Sequence, residues 1–234
     1  MQSHTLSLTK KPAPLNFFQD SLNKALTFAA PLHTLYKSCN STATEQRVED
    51  FWIRETMKKI EIGQRAPDFS LPGVDGKDYT LNSFKDKKVV VVLFTCNHCP
   101  YAQAYEDRLV NIQSEFAAKG VQFVAINPND SAGYPEDGFE NMVKRAQKKQ
   151  FNFPYLRDKA QRVARAYGAE YTPEVFVLNS KYEVRYIGRV DDNWQYPDKA
   201  RTHDLRDAIS AVLAHKKVAN PVTHAIGCTI KWKM

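Results

Sequence analysis

The run Val89-Val-Val-Val-Leu-Phe94 is continuous, apolar and mostly β-branched. It is too short for a buried helix and shows no alternation, so it predicts a strand covered on both faces, as in a parallel sheet. The residues that follow constrain the topology. Ala102, Tyr105, Leu109, Ile112 and Phe116 recur at intervals of three and four, the period of one helix face, and Gly120 supplies a stop. Val121 to Ile126 then reads as the next buried strand. Strand, helix and strand make a βαβ unit, right-handed by the general rule for parallel crossovers. The fold class is α/β.

Other elements build outward from this unit. Asp68–Leu71 and Lys77–Leu81 flank Val74-Asp75-Gly76, and Asp-Gly between short strand-like runs signals a β-hairpin. A loop from Asn127 to Gly138 precedes a helix with Phe139, Met142, Val143 and Ala146 inward. Asp158 caps a short helix that carries Ala160, Val163, Ala164 and Tyr167 and stops at Gly168. Glu174–Leu178 and Glu183–Ile187 form a strand pair about Asn179-Ser180-Lys181, and His203 to His215 is a last helix. The architecture expected is a central mixed sheet flanked by helices, entered through an N-terminal β-hairpin.

Residues 57–234 form this domain; residues 1–56 read differently. The first segment holds Pro12, Pro14 and Pro31 and has no sustained period. A poorly ordered or vestigial extension, a targeting segment and a short docking helix around Phe17 to Phe28 compete there. Composition favours the first, since no Arg occurs before Arg47 and transit peptides are Arg-rich. No run of 18 apolar residues, the length of a spanning helix, is present. With no convincing secretion signal, the cytoplasm is the expected compartment.

The chain holds 33 basic and 26 acidic residues, a net charge of +7. The charges are interspersed, and the densest basic cluster, Lys144 to Lys149, lies in an amphipathic segment that reads as a solvated helix face. No nucleic-acid motif accompanies the charge, so neither nucleic acid nor membrane is expected as a partner. Oligomeric state is not legible.

The 4 cysteines, Cys39, Cys96, Cys99 and Cys228, are too few and too uneven for a disulfide scaffold. Nor is there a second CxxC or paired-His cluster to complete a zinc site, and no metal or cofactor is called for. Cys96-Asn97-His98-Cys99 falls between the buried strand and its helix, and that position makes it chemical. Residues three apart on a helix share a face, with Cβ atoms ~5–6 Å apart, so the pair can close into a disulfide. The partial positive charge and free N–H groups of a helix N-terminus favour a thiolate. Pro100 suits the first helical turn and pins its start. Cys96, placed at the cap, is the expected nucleophile; Cys99, one turn in, is the shielded resolving thiol. Protonated His98 adds positive charge near Cys96 and makes the couple more oxidising.

Farther along, Thr172-Pro173 sets a proline just before an apolar strand, which fits a turn or a cis bond. Cys228 lies in the basic aromatic tail with Lys231, Trp232 and Lys233. It reads either as a small packed residue or as a third redox thiol reaching the pair. Cys39 is incidental. Tyr134, Trp194 and Tyr196 are rim or core aromatics that could line a groove beside the motif.

From Ile62 onward the chain resembles the AhpC/TSA, or peroxiredoxin-like, branch of the thioredoxin superfamily. Gly63-Gln-Arg-Ala-Pro67-Asp68-Phe69 resembles its opening signature, Phe94-Thr95-Cys96-Asn97-His98-Cys99-Pro100 its active-site segment, and Thr172-Pro173-Glu174-Val-Phe176 its cis-proline loop. Phe153–Asp158, Gly188–Asp192 and Gly227–Lys233 resemble a less characterised peroxiredoxin-like subgroup. The resemblance implies a thioredoxin-like fold with Pro173 cis and lying against the Cys96–Cys99 pair. The chain also departs from the branch. The peroxidase pattern Pro-x-x-x-Thr-x-x-Cys, aligned on Cys99, meets Val92 and Cys96 at its Pro and Thr positions. Thioredoxin's Trp before the first Cys is Thr95 here, and its buried strand Asp is missing from Val89–Leu93. Glu174 and Asp191 or Asp192 are the available substitutes for proton transfer, against a reading of each as a surface carboxylate.

The expected function is a thiol–disulfide oxidoreductase acting on a thiol or disulfide protein substrate, with an electron donor such as a thioredoxin or small thiol. A thiol peroxidase and a non-catalytic interaction module are the alternatives.

Overall fold

The computed structural model describes residues 59–233. The segment 1–56, with its expected extension, its docking helix and Cys39, lies outside the described residues.

Strands β1 (Ser70–Pro72) and β2 (Asp78–Thr80) form the expected hairpin, with Leu71 opposite Tyr79. β3 (Val89–Phe94) leads into α1 (Pro100–Ala117) and back through Gly120 into β4 (Val121–Asn127). Gly120 has φ +89°, which a residue with a side chain rarely adopts. The chain continues as α2 (Phe139–Lys148), β5 (Tyr155–Arg157), α3 (Arg162–Tyr167), β6 (Tyr171–Thr172) and β7 (Glu174–Asn179). It ends with β8 (Val184–Gly188), α4 (Asp204–Leu213) and β9 (Cys228–Thr229).

The central sheet has the order β5-β4-β3-β7-β8. β3 runs parallel to β4 and antiparallel to β7, and β4 runs parallel to β5, so the sheet is mixed as expected. β3 is buried along its whole length because both its faces are covered. Val89, Val91 and Leu93 pack with α1, α4 and Met142 of α2. Val90, Val92 and Phe94 pack on the other side with Val163, Ala164 and Tyr167 of α3 and with the hairpin's Leu71. Ties beyond apolar contact set the helices. Buried Glu106 of α1 takes Arg145 of α2 at 2.6 and 2.8 Å, and Gln113 brackets β4 through Phe123 N–H and the Val121 carbonyl.

Three local expectations change. Phe139, expected inward, is 40% exposed, and Met142 alone of the α2 set is fully buried. Asp158 does accept N–H bonds from Arg162 and Ala164, but the residue at the helix cap is Gln161, in the left-handed region. β5, an edge strand, arises where only a motif was read. Among the described residues no helix is long and apolar enough to cross a membrane.

Candidate active site

The buried β3 ends at Phe94, and Thr95 holds the register by donating its N–H to the Ile126 carbonyl at 2.9 Å. The chain then turns through Cys96, Asn97 and His98. Cys99, with extended backbone, is the N-cap of α1, and Pro100 follows at its first position. This corrects the expectation that Cys96 would occupy the cap. Proline excludes the helical region for the residue before it, so the helix begins one residue after the second cysteine. A second expectation also changes: Cys96 is 2% exposed and Cys99 fully buried, so neither sulfur stands open to solvent.

Across from the turn, the Thr172–Pro173 peptide is cis. Thr172 meets both thiols: its hydroxyl lies 3.3 Å from Cys96 Sγ, and its carbonyl accepts from Cys99 Sγ at 3.1 Å. Both cysteines are free. The pair shares its protons unequally. Cys96 is pushed up, chiefly by its hydrogen bond to Cys99, then by burial and by the Asp137 carboxylate. Cys99 is held well below the ordinary thiol range by the Cys96 S–H, against burial, with further donors from Cys228 and the Ala102 N–H at the helix mouth. The Thr172 carbonyl beside Cys99 favours the protonated form. The donors around Cys99 outnumber that one acceptor, and we place the first negative charge of the pair on Cys99.

Asp137 was not singled out by sequence. It ends a single turn of 3-10 helix, Pro135–Asp137, in what reads only as a loop, and it is completely buried. Its Oδ1 accepts from the Asn97 N–H at 2.6 Å and Asn127 Nδ2 at 3.2 Å. Its Oδ2 accepts from Asn129 Nδ2 at 3.0 Å and lies 2.5 Å from His98 Nδ1. Tyr155 of β5 extends the network by donating to Asn97 Oδ1 at 3.0 Å. Asn97 is further held by the Glu136 carbonyl and by Gln103 Nε2, so the motif's two middle residues are fixed by hydrogen bonds to β5, α1 and the loop before α2. The buried carboxylate that the strand lacks is therefore supplied from a loop 39 residues away in sequence. The only sequence signal is a Pro-Glu-Asp-Gly turn ahead of a helix.

The carboxylates suggested by sequence act elsewhere. Glu174, 1% exposed in its side chain, pairs with Lys59 at 2.5 Å and accepts the Glu170 and Tyr171 N–H groups. Asp191 takes Tyr105 and Arg108 and fixes α1 to the end of β8, and Asp192 accepts from the Arg201 and Thr202 N–H groups. None is bonded to a sulfur. Of the aromatics, Tyr134 stacks on His98 at 4.7 Å and Trp194 packs on Tyr101 at 4.6 Å, while Tyr196 is exposed.

Cys96 Sγ, a His98 nitrogen and an Asp137 oxygen lie within 4.8 Å of one another, a donor set that a small cation could use. The carboxylate is already fully occupied by N–H donors, His98 among them, and the arrangement reads as a hydrogen-bond network. Outside His98, a cleft of about 420 Å³ is bordered by Asn97, Gln103, Lys144 and Lys148. On the other flank, β9 pairs with β6 so that Cys228 sits opposite Thr172, and the half-buried Cys228 packs on the cluster formed by Cys96, Cys99 and Ala102, against Cys99.

The arrangement suits dithiol chemistry: two sulfurs at a helix mouth, one favoured as thiolate, against a cis-proline loop. Known proteins agree with it. The thiol-disulfide oxidoreductase ResA of Geobacillus thermodenitrificans is 27% identical over 130 residues, 55% of this chain and 69% of its own. Peroxiredoxin Q, chloroplastic, of Suaeda salsa is 23% identical over 71% of this chain and 67% of its own. Among solved structures, a hypothetical protein from Sinorhizobium meliloti 1021 is 37% identical, covering 75% of this chain and 97% of its own at a TM-score of 0.70. An uncharacterized conserved protein from Geobacillus kaustophilus is 39% identical, covering 74% and 93% at a TM-score of 0.70. Residues 62–187 match the family model as well, and with the CxxC turn, the mixed sheet and the cis-Pro173 loop in place, the chain belongs to the AhpC/TSA family of the thioredoxin superfamily.

Proposed function

We propose that the protein is a thiol–disulfide oxidoreductase in which Cys96 and Cys99 cycle between dithiol and disulfide. The observation that carries this is the convergence of both free sulfurs on Thr172, ahead of cis-Pro173, with Cys99 capping α1. A thiolate at the helix mouth attacks a substrate disulfide, and the neighbouring sulfur displaces the mixed disulfide. The low position of Cys99 favours it as the charged partner, while Cys96 is the less enclosed sulfur of the two. Thr95, Asn97, His98 and Pro100 shape the turn, and Thr172 and Pro173 face it. Glu174 serves the loop's fold through Lys59. The proposed partners are a disulfide-bearing protein and a thiol donor of the thioredoxin or small-molecule kind, and the proposed compartment is the cytoplasm.

Insulin reduction tests the reading: wild type should accelerate it, and Cys96→Ser and Cys99→Ser should each abolish the acceleration. An unaccelerated wild type leaves the interaction-module alternative. The family's peroxiredoxins motivate a peroxidase alternative. Against it, no threonine stands three residues before Cys99, where Cys96 takes its place. Stopped-flow consumption of hydrogen peroxide at the rate of a free thiol would exclude that activity.

A further inference from the structure

A dithiol exchanging with solvent thiols needs a sulfur that solvent thiols can reach. Cys96 and Cys99 are 2% and 0% exposed. The half-buried Cys228 is the most accessible of the free cysteines described, and it packs on the cluster that holds both, bonded to Cys99. Its placement is built into the backbone. β9 pairs antiparallel with β6, putting Cys228 opposite Thr172, the residue that holds both sulfurs. Thr172 Oγ1 also reaches the Cys228 carbonyl, at 3.5 Å. The glycine before Cys228 permits this approach: a Cβ on Gly227 would stand 2.3 Å from the Thr172 carbonyl oxygen and 3.1 Å from Pro173 N. These are backbone atoms with no rotamer to yield.

We infer that Cys228 is a third working thiol, which takes over the disulfide from Cys96 and presents it to a small thiol reductant as a Cys99–Cys228 bond. The inference rests on the dithiol reading above. Starting from the Cys96–Cys99 disulfide, Cys228 Sγ attacks Cys99 Sγ. The Cys96–Cys99 bond breaks, its electron pair goes to Cys96 Sγ, and the proton lost by Cys228 ends on Cys96. No net oxidation occurs. A low-molecular-weight thiolate then attacks the accessible Cys228 Sγ and expels Cys99 as thiolate. A second molecule of the same thiol attacks the small-molecule sulfur of the mixed disulfide, releasing the free disulfide and the Cys228 thiol. Two external thiols are oxidised and one protein disulfide is reduced.

Contact sets the first step, since Cys228 lies against Cys99, and acidity favours the second: a thiol of low pKa leaves faster, and Cys99 is the sulfur held low, by Cys96 first and also by Cys228. Cys228 itself is pushed up to about 11, by burial first and then by its bond to Cys99.

The test oxidises wild type, Cys96→Ser and Cys228→Ser with oxidised glutathione, quenches exchange with acid, redissolves the denatured protein in neutral buffer containing N-ethylmaleimide to alkylate free thiols, and maps disulfides by mass spectrometry after non-reducing digestion. Cys96→Ser should yield an intramolecular Cys99–Cys228 disulfide. Cys228→Ser should still form Cys96–Cys99, yet its re-reduction by reduced glutathione should be slower by about tenfold or more. Cys228→Ala should match Cys228→Ser, which separates a lost thiol from a disturbed strand. Recovery of alkylated Cys228 beside glutathionylated Cys99 in Cys96→Ser overturns the inference, as does a wild-type reduction rate in both Cys228 variants. Failure of Cys228→Ser to form Cys96–Cys99 at all, together with unaccelerated insulin reduction by wild type, would instead sink the dithiol reading.

Discussion

In a Cys99→Ser chain, Cys96 loses the sulfur that most strongly holds its proton in place, and burial and the Asp137 carboxylate remain. Cys96 Sγ and an Asp137 oxygen are within 4.8 Å. Two like unit charges at that distance repel by ~3.5 kcal/mol at an effective dielectric constant of ~20, a ceiling of ~2.5 pKa units. His98, bonded to the same carboxylate, offsets part of the repulsion, so adding Asp137→Asn should lower the Cys96 pKa by about 1–2 units. The amide cannot accept at both positions, and one of the buried donors Asn127 or Asn129 loses its acceptor. That costs about 1–3 kcal/mol of stability. The assay is the pH dependence of iodoacetamide alkylation of the single site thiol, in a Cys228→Ala background, with circular dichroism confirming the fold. A titration midpoint that stays put or rises in the folded double variant would refute the claim that Asp137 opposes the Cys96 thiolate.

His98→Gly removes one of the four partners of Asp137 and leaves more of that carboxylate's charge acting on Cys96, so the Cys96 pKa should rise and the couple should become less oxidising. Equilibration with glutathione buffers reads the potential, and an unchanged value contradicts a role for His98 in the site's electrostatics. Lys59→Ala strips the cation from buried Glu174 and leaves it only backbone N–H partners. Because Lys59 is itself about one-third exposed, the cost should be about 1–3 kcal/mol, seen in urea unfolding; an unmoved midpoint argues that the ion pair is dispensable. Tyr105, Tyr167 and Tyr186 are all pushed up, by burial first, above the value of ~10 they have in an unfolded chain. Their folded forms retain protons that the unfolded chain releases, so their contribution is intact below pH ~10 and declines above it. Melting temperature should fall between pH ~9.5 and ~11.5, and a flat profile would contradict the burial of these hydroxyls.

Much of the fold is legible in local sequence. The run Val89–Phe94 is a strand with those limits because six apolar residues in succession need cover on both faces, and the sheet and its helices provide it. The interval pattern from Ala102 to Phe116 names the buried face of α1, and Pro100 and Gly120 bracket it. The expected cis bond at Pro173 is present. β5, β6 and β9 are short strands whose existence depends on a neighbour at the right register, so no periodicity reveals them. Phe139 shows the converse: it fits the helical stripe but falls at the first position of α2, beyond the reach of the core.

The amino-acid sequence by itself determined that two cysteines stand three residues apart where a buried strand turns into a helix, because strand, proline and helix signals all act within a few residues of one another. Tertiary structure alone decided that Asp137 faces His98 across 39 positions and that Cys228 lies against Cys99. Those relations are made by sheet register and by backbone contact at Gly227, and interactions between distant segments leave no periodic trace in the chain that carries them.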